Sequence, residues 1–129
     1  MEYYHAREFA GLSYEEVLAL VPEALKKEGF GVLTEIDVAR VMKEKLDKDL
    51  RPYKILGACN PNFAYQALSL ENKIGTMLPC NVVVQELENG NTEVAVVDPM
   101  GSMQAVENEG LAEVAAEVQE RLKRVLDHI

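Results

Sequence analysis

The sequence predicts an α+β fold, a two-layer sandwich in which helices pack on one mainly antiparallel sheet of about five strands. Three observations carry this. Strand-like and helix-like apolar patterns alternate three times along the first 70 residues. A hairpin signal, Glu88-Asn89-Gly90-Asn91, then separates two β-branched runs at 82–87 and 92–97. The chain closes on a stripe of Leu111, Val114, Ala115, Val118, Leu122, Val125, Leu126 and Ile129, the spacing of a long amphipathic helix.

Taken in order, residues 3–9 mix aromatic and polar side chains in loose alternation, which suits a strand, and Gly11 ends it. Ser13-Tyr14-Glu15-Glu16 has the form of a capping box, with the Ser13 hydroxyl accepting from the Glu16 amide. Val17, Leu18, Val21, Ala24 and Leu25 continue at helical spacing, and Lys26, Lys27 and Gly29 supply the stop. Pro22 lacks a backbone donor, so a kink or a late restart is expected there.

Residues 30–36 form an apolar run bounded by Gly and Asp and predict a second strand. Asp37 is a suitable cap for a short helix on Val38, Val41, Met42 and Leu46, with Lys43, Lys45 and Lys48 outward. The third strand, 53–58, is apolar at nearly every position, which predicts burial on both faces. Asn60-Pro61 opens a third helix with Asn as cap and Pro at its first position; Ala64, Ala67, Leu68 and Leu70 should line the inner face. Residues 71–79, with Gly75 and Pro79, are expected to be loop before the hairpin. Asp98-Pro99-Met100-Gly101 ends the second hairpin strand.

A chain of 129 residues with 48% hydrophobic content is the size and composition of one globular domain, here spanning 1–129. Thirteen basic against 22 acidic residues give a net charge of −9, which argues against a nucleic-acid partner, since phosphate backbones are met by clustered Lys and Arg. The N-terminal residues carry acids early without an apolar run, unlike a signal peptide, and no apolar segment is long enough to span a bilayer. A cytoplasmic setting with both thiols reduced is therefore expected.

Both cysteines are followed by asparagine, in Cys59-Asn60 at a strand end and Cys80-Asn81 at a strand start. A thiol at the start of a helix feels the positive end of the dipole, so Cys59 is a candidate nucleophile, redox sensor or soft-metal ligand; a small buried residue is the alternative. Asn60 and Asn81 offer donors and acceptors, and Asp98 stands at the end of a neighbouring strand, where a carboxylate can act as base or orient a ligand. Cys59, Asn60, Cys80, Asn81 and Asp98 are therefore the candidate ligand-binding set. Met77, Met100 and Met103 lie nearby in sequence, either as gap-fillers or as thioether ligands for a soft metal or haem. The two histidines, His5 and His128, stand near the termini, and the cysteine spacing matches no zinc signature, so a complete four-ligand zinc site within one chain is not expected, which leaves a site shared across a dimer open. The phosphate-loop, dinucleotide and nucleophile-elbow patterns are missing.

Four stretches taken together resemble a known family. They are Gly29-Phe30-Gly31-Val32-Leu33-Thr34-Glu35-Ile36-Asp37, Pro52-Tyr53-Lys54-Ile55-Leu56-Gly57-Ala58-Cys59-Asn60-Pro61, Leu78-Pro79-Cys80-Asn81-Val82-Val83-Val84, and Asp98-Pro99. In order and spacing they look like the domain-of-unknown-function 302 family, over roughly 13–125. The resemblance implies a compact two-layer α+β domain that tends to form homodimers, and it implies no assigned activity; any cofactor is left open.

Three functions are consistent with these residues. The first is a small-molecule or anion-binding module with its pocket at the Cys-Asn strand ends, where a helix N-terminus favours anions. The second is a thiol-dependent redox, metal or haem-binding protein using Cys59 and Cys80. The third is a homodimeric interaction protein without chemistry. Whether any reaction is catalysed does not follow from the sequence.

Overall fold

The computed structural model describes residues 2–129. In chain order it comprises β1 (Tyr4–Phe9), α1 (Tyr14–Lys27), β2 (Gly31–Asp37), α2 (Val38–Leu46), β3 (Tyr53–Cys59) and α3 (Pro61–Leu70). A 3₁₀ turn (Ile74–Met77), β4 (Cys80–Glu86), β5 (Thr92–Val97), the short α4 (Pro99–Ser102) and α5 (Glu109–Asp127) follow. The five strands form one sheet in the order β1-β5-β4-β3-β2, and every neighbouring pair is antiparallel. Consecutive strands β2 to β5 are therefore neighbours, and β1 joins the far edge because α1 crosses the whole sheet between β1 and β2. The expected α+β sandwich is the observed one.

Local signals act where the sequence places them. Ser13 Oγ accepts from the Glu16 amide at 3.1 Å and Glu16 Oε1 from the Ser13 amide at 3.3 Å, closing the capping box. Helix α1 ends in a Schellman motif: Phe30 N–H reaches the Leu25 carbonyl, Gly29 N–H reaches that of Lys26, and Gly29 takes φ +85°. Pro22 sits inside α1 without dividing it. Asn89 and Gly90 turn the β4–β5 hairpin, with Gly90 at φ +85°.

Alternation along the central strands assigns the two faces. Leu56, Ala58, Cys80, Val82, Val84, Thr92, Val94 and Val96 are buried under the helices. Against them pack Val17, Val21 and Leu25 of α1 and Leu122 and Val125 of α5. A second, smaller cluster of Ala67, Ile74 and Leu111 lies under α3 and the 3₁₀ turn.

Three expectations are corrected. The opposite face of β3 is only partly buried: Gly57 is buried, but Tyr53 and Ile55 are half-covered, as an antiparallel sheet with one more open face allows. Of the residues expected to line the inner face of α3, only Ala67 is buried, and Leu68 and Leu70 are exposed. Residues 71–79 are not all loop, since Ile74–Met77 closes a 3₁₀ turn that buries Ile74.

Candidate functional site

Three of the sequence-predicted residues meet at a cavity of about 370 Å³ that lies where the two core clusters join. Its floor comes from the ends of β3 and β4, with Ala58, Cys59 and Cys80, and its sides come from α3 and α5. The cause is side-chain size. Ala58, Ala64, Ala67 and Ala115 face inward from three different elements beside Gly75, and small side chains on facing elements leave unfilled volume. Phe30, Phe63, Leu111, Val114 and Val118 supply the bulk around it. Leu33, 68% exposed, and Leu68, 45% exposed, are also wall residues, so the cavity opens to the surface between them.

Cys59, Asn60 and Cys80 all line this cavity. The Cys80 thiol is buried, and burial, with the neighbouring Cys59 as a lesser cause, pushes its pKa up to about 11. At neutral pH it is a thiol rather than a thiolate. Asn60 is 8% exposed and occupies the cap position of α3, but its side chain makes no cap hydrogen bond. Instead its Nδ2 donates to the Glu28 carbonyl at 3.5 Å, the long end of the range. The space it needs exists because residue 29 is glycine: a Cβ there would lie 2.8 Å from Asn60 Nδ2.

Asn81 and Asp98 are placed elsewhere. Asn81 projects from the more open face of the sheet, where it lines a shallow cleft with Tyr3, Tyr53, Val83 and Gln85. Asp98 is buried at the end of β5 and is not a cavity wall, although Pro99 beside it is. Its carboxylate accepts from Gln119 Nε2 at 2.9 and 3.1 Å, from His5 Nε2 at 2.7 Å, and from the Met100 and Gly101 amides at 2.9 and 3.4 Å. Burial by itself would raise the Asp98 pKa; the bonds from Gln119, His5 and the two amides outweigh it and hold the carboxyl below its ordinary value.

A second polar cluster lies next to the cavity. Glu28, buried at the end of α1, accepts from Arg124 Nε at 3.0 Å and from His128 Nε2 at 2.8 Å. Its backbone carbonyl accepts from Arg121 at 3.2 Å, and the Arg121 guanidinium stands 5.1 Å from the Phe63 ring centroid. Among the described residues no group of three His, Cys, Asp or Glu side chains is arranged to hold a metal ion, and no helix is long and apolar enough to cross a membrane. Met103 is a cavity wall, and Met77 is exposed.

A family profile matching residues 5–129 decides the assignment. The chain belongs to the DUF302 family, described as a domain of unknown function. A crystal structure of an uncharacterized conserved DUF302 protein from Bacillus stearothermophilus superposes with a TM-score of 0.90 at 31% identity, over 99% of this chain and 98% of that one. No curated protein matches the chain significantly.

Relative to this DUF302 domain, sequence reasoning missed three kinds of residue. His5 and Gln119 reach Asp98 from 93 and 21 residues away, and nothing local announces such pairs. Glu28 reads as an ordinary helix-terminal acid until α5 is folded against it. The cavity walls on α5, Leu111, Val114, Ala115 and Val118, belong to a stripe that reads as plain core. The one available signal was the set of alanines at inward positions of β3, α3 and α5.

Proposed function

We propose that this DUF302 domain is a small-molecule-binding module whose pocket is the apolar cavity at Cys59, Asn60 and Cys80. The observation that carries the reading is the cavity itself. At about 370 Å³ it falls in the range of small-ligand sites, and it combines apolar walls with one buried amide. Close-packed interiors keep few voids larger than a water molecule, so a space of this size in a small domain calls for an occupant. Asn81 and Asp98 are outside this pocket; Asp98 supports it indirectly, through α4 and α5. The test is a thermal-shift screen run in parallel on the wild type and on Ala64→Phe, which fills the cavity from the half-exposed α3. Ligands of the pocket raise the melting temperature of the wild type and not of the variant. A screen in which every active compound stabilises both proteins equally sinks the reading.

A homodimer is a second reading, favoured by a specific feature of the sheet. The more open face presents Tyr4 and Ile36 exposed and Tyr53, Ile55, Val83, Ala95 and Val97 half-exposed, an apolar surface left accessible within one chain. Sedimentation equilibrium of the wild type and Val83→Lys tests it. A wild-type dimer that the substitution dissociates supports this interface, and a wild-type monomer at high micromolar concentration rejects it. A thiol-dependent function through Cys59 and Cys80 is distinguished by the alkylation pattern given in the Discussion.

A further inference from the structure

The chemistry of the cavity walls specifies the class of ligand, on the reading that the cavity is a binding site. We infer that the occupant is an uncharged apolar molecule of about a dozen non-hydrogen atoms that offers a single hydrogen-bonding group to Asn60.

The size follows from volume. At about 30 Å³ for each water-sized volume, the 370 Å³ cavity holds about a dozen such units. The neutrality follows from the walls. Among the described residues no Lys, Arg, His, Asp or Glu lines the cavity; beyond hydrocarbon its described walls carry Asn60, the two thiols and the Met103 thioether. An ionised group moved from water into such a space without a partner costs several kcal/mol or more. The nearest guanidinium, Arg121, is already committed: its Nε donates to Glu117 at 3.1 Å and its Nη1 to the Glu28 carbonyl at 3.2 Å. An anion entering beside Phe63 would compete with Glu117 for that charge. A cation would find no carboxylate on the walls.

The single polar contact follows from Asn60. A primary amide has two donor hydrogens and a carbonyl acceptor. In this buried side chain Nδ2 makes one long bond, 3.5 Å, to the Glu28 carbonyl. A ligand hydroxyl, carbonyl or amide at that end of the cavity can pair with the remaining Nδ2 hydrogen or with the Oδ1 acceptor. The helix N-terminus, which suggests an anion from sequence alone, is thus overruled by the walls around it.

The experiment measures displacement of a neutral apolar fluorophore that fits the stated size, 1-naphthylamine, from the full chain at pH 8. Three competitors of equal chain length are compared: 1-decanol, decanoate and decylamine. Two cavity-filling variants, Ala64→Phe and Leu68→Trp, serve as controls, each checked for native circular dichroism. The expected result is that 1-decanol displaces the probe at a concentration about tenfold or more below that of either ion, since about 1.4 kcal/mol of charge-burial cost already gives that ratio. Both variants that fold should lose probe binding. Should decanoate or decylamine compete as well as 1-decanol while the variants still abolish binding, the site is real and the inference of a neutral ligand is overturned. Should the probe bind wild type and variants alike, the binding reading itself falls, and this inference with it.

Discussion

His5 Nε2 donates to Asp98 Oδ2 at 2.7 Å, fastening the N-terminal edge strand to the end of β5 across 93 residues of sequence. Gln119 on α5 joins the same carboxylate, so one buried acid ties β1, β5, α4 and α5 at a single point. Gly101 allows the N-terminal segment to pass there, because a Cβ on it would lie 3.1 Å from the Tyr3 Cα.

Replacing Asp98 with Ala leaves four buried or half-buried donor groups without their acceptor. The expected loss is about 2–4 kcal/mol of folding stability, read as a lower urea midpoint. Asp98→Asn, which keeps an acceptor oxygen, should lose less. Equal losses in the two variants would show that the acceptor geometry contributes little.

Glu28 gives a pH dependence with a definite sign. Burial acts to raise its pKa, but the hydrogen bonds and charges of His128 and Arg124 outweigh it and hold the carboxyl below the ordinary 4.5. The unfolded chain binds protons first as the pH drops, so the stability contributed by Glu28 is full above about pH 4.5 and is lost as the pH falls through the lower folded value. The stability gap between wild type and Glu28→Gln should therefore narrow between pH 5 and pH 3, measured by urea titration at each pH. A gap that stays constant over that range would refute the assignment.

Gly29 and Gly31 form a matched pair. Gly29 combines φ +85° with close approach to Asn60, whereas a Cβ on Gly31 meets nothing within 4 Å and its φ is ordinary. Gly29→Ala should cost about 1–3 kcal/mol, and Gly31→Ala less than about 0.5 kcal/mol. Differential scanning calorimetry of the two variants decides it.

Thr92 carries a hydroxyl that is fully buried without a hydrogen-bond partner. Thr92→Val keeps the shape, removes the unsatisfied group and suits a strand, so a gain of about 1 kcal/mol is expected from chemical denaturation. A loss would mean that the hydroxyl is satisfied in solution.

The cysteines should differ in reactivity. Cys80 is buried with its pKa pushed up to about 11, while Cys59 is partly accessible. Iodoacetamide at pH 8, followed by mass spectrometry, should label Cys59 in the native state and Cys80 only after denaturation. Rapid native labelling of Cys80 would restore a thiolate role for it and the redox reading.

The sequence by itself determined most of the elements and one strand pairing: the capping box at Ser13, the Asn-Gly hairpin, the apolar stripe of α5 and hence the two-layer α+β class. These are legible because propensity, capping and periodicity act over a few neighbouring residues. It also named Cys59, Asn60, Cys80, Asn81 and Asp98 as one candidate set, of which the first three line a single cavity. What only the tertiary structure decided is which face each residue occupies and what meets it across long sequence gaps. Asn81, one residue from Cys80, points to the opposite side of the sheet because side chains alternate along a strand. Asp98 has its acceptor sites filled by His5 and Gln119. The cavity exists because alanines from β3, α3 and α5 face one another, and volume is a property of the packed set that no single stretch of chain encodes.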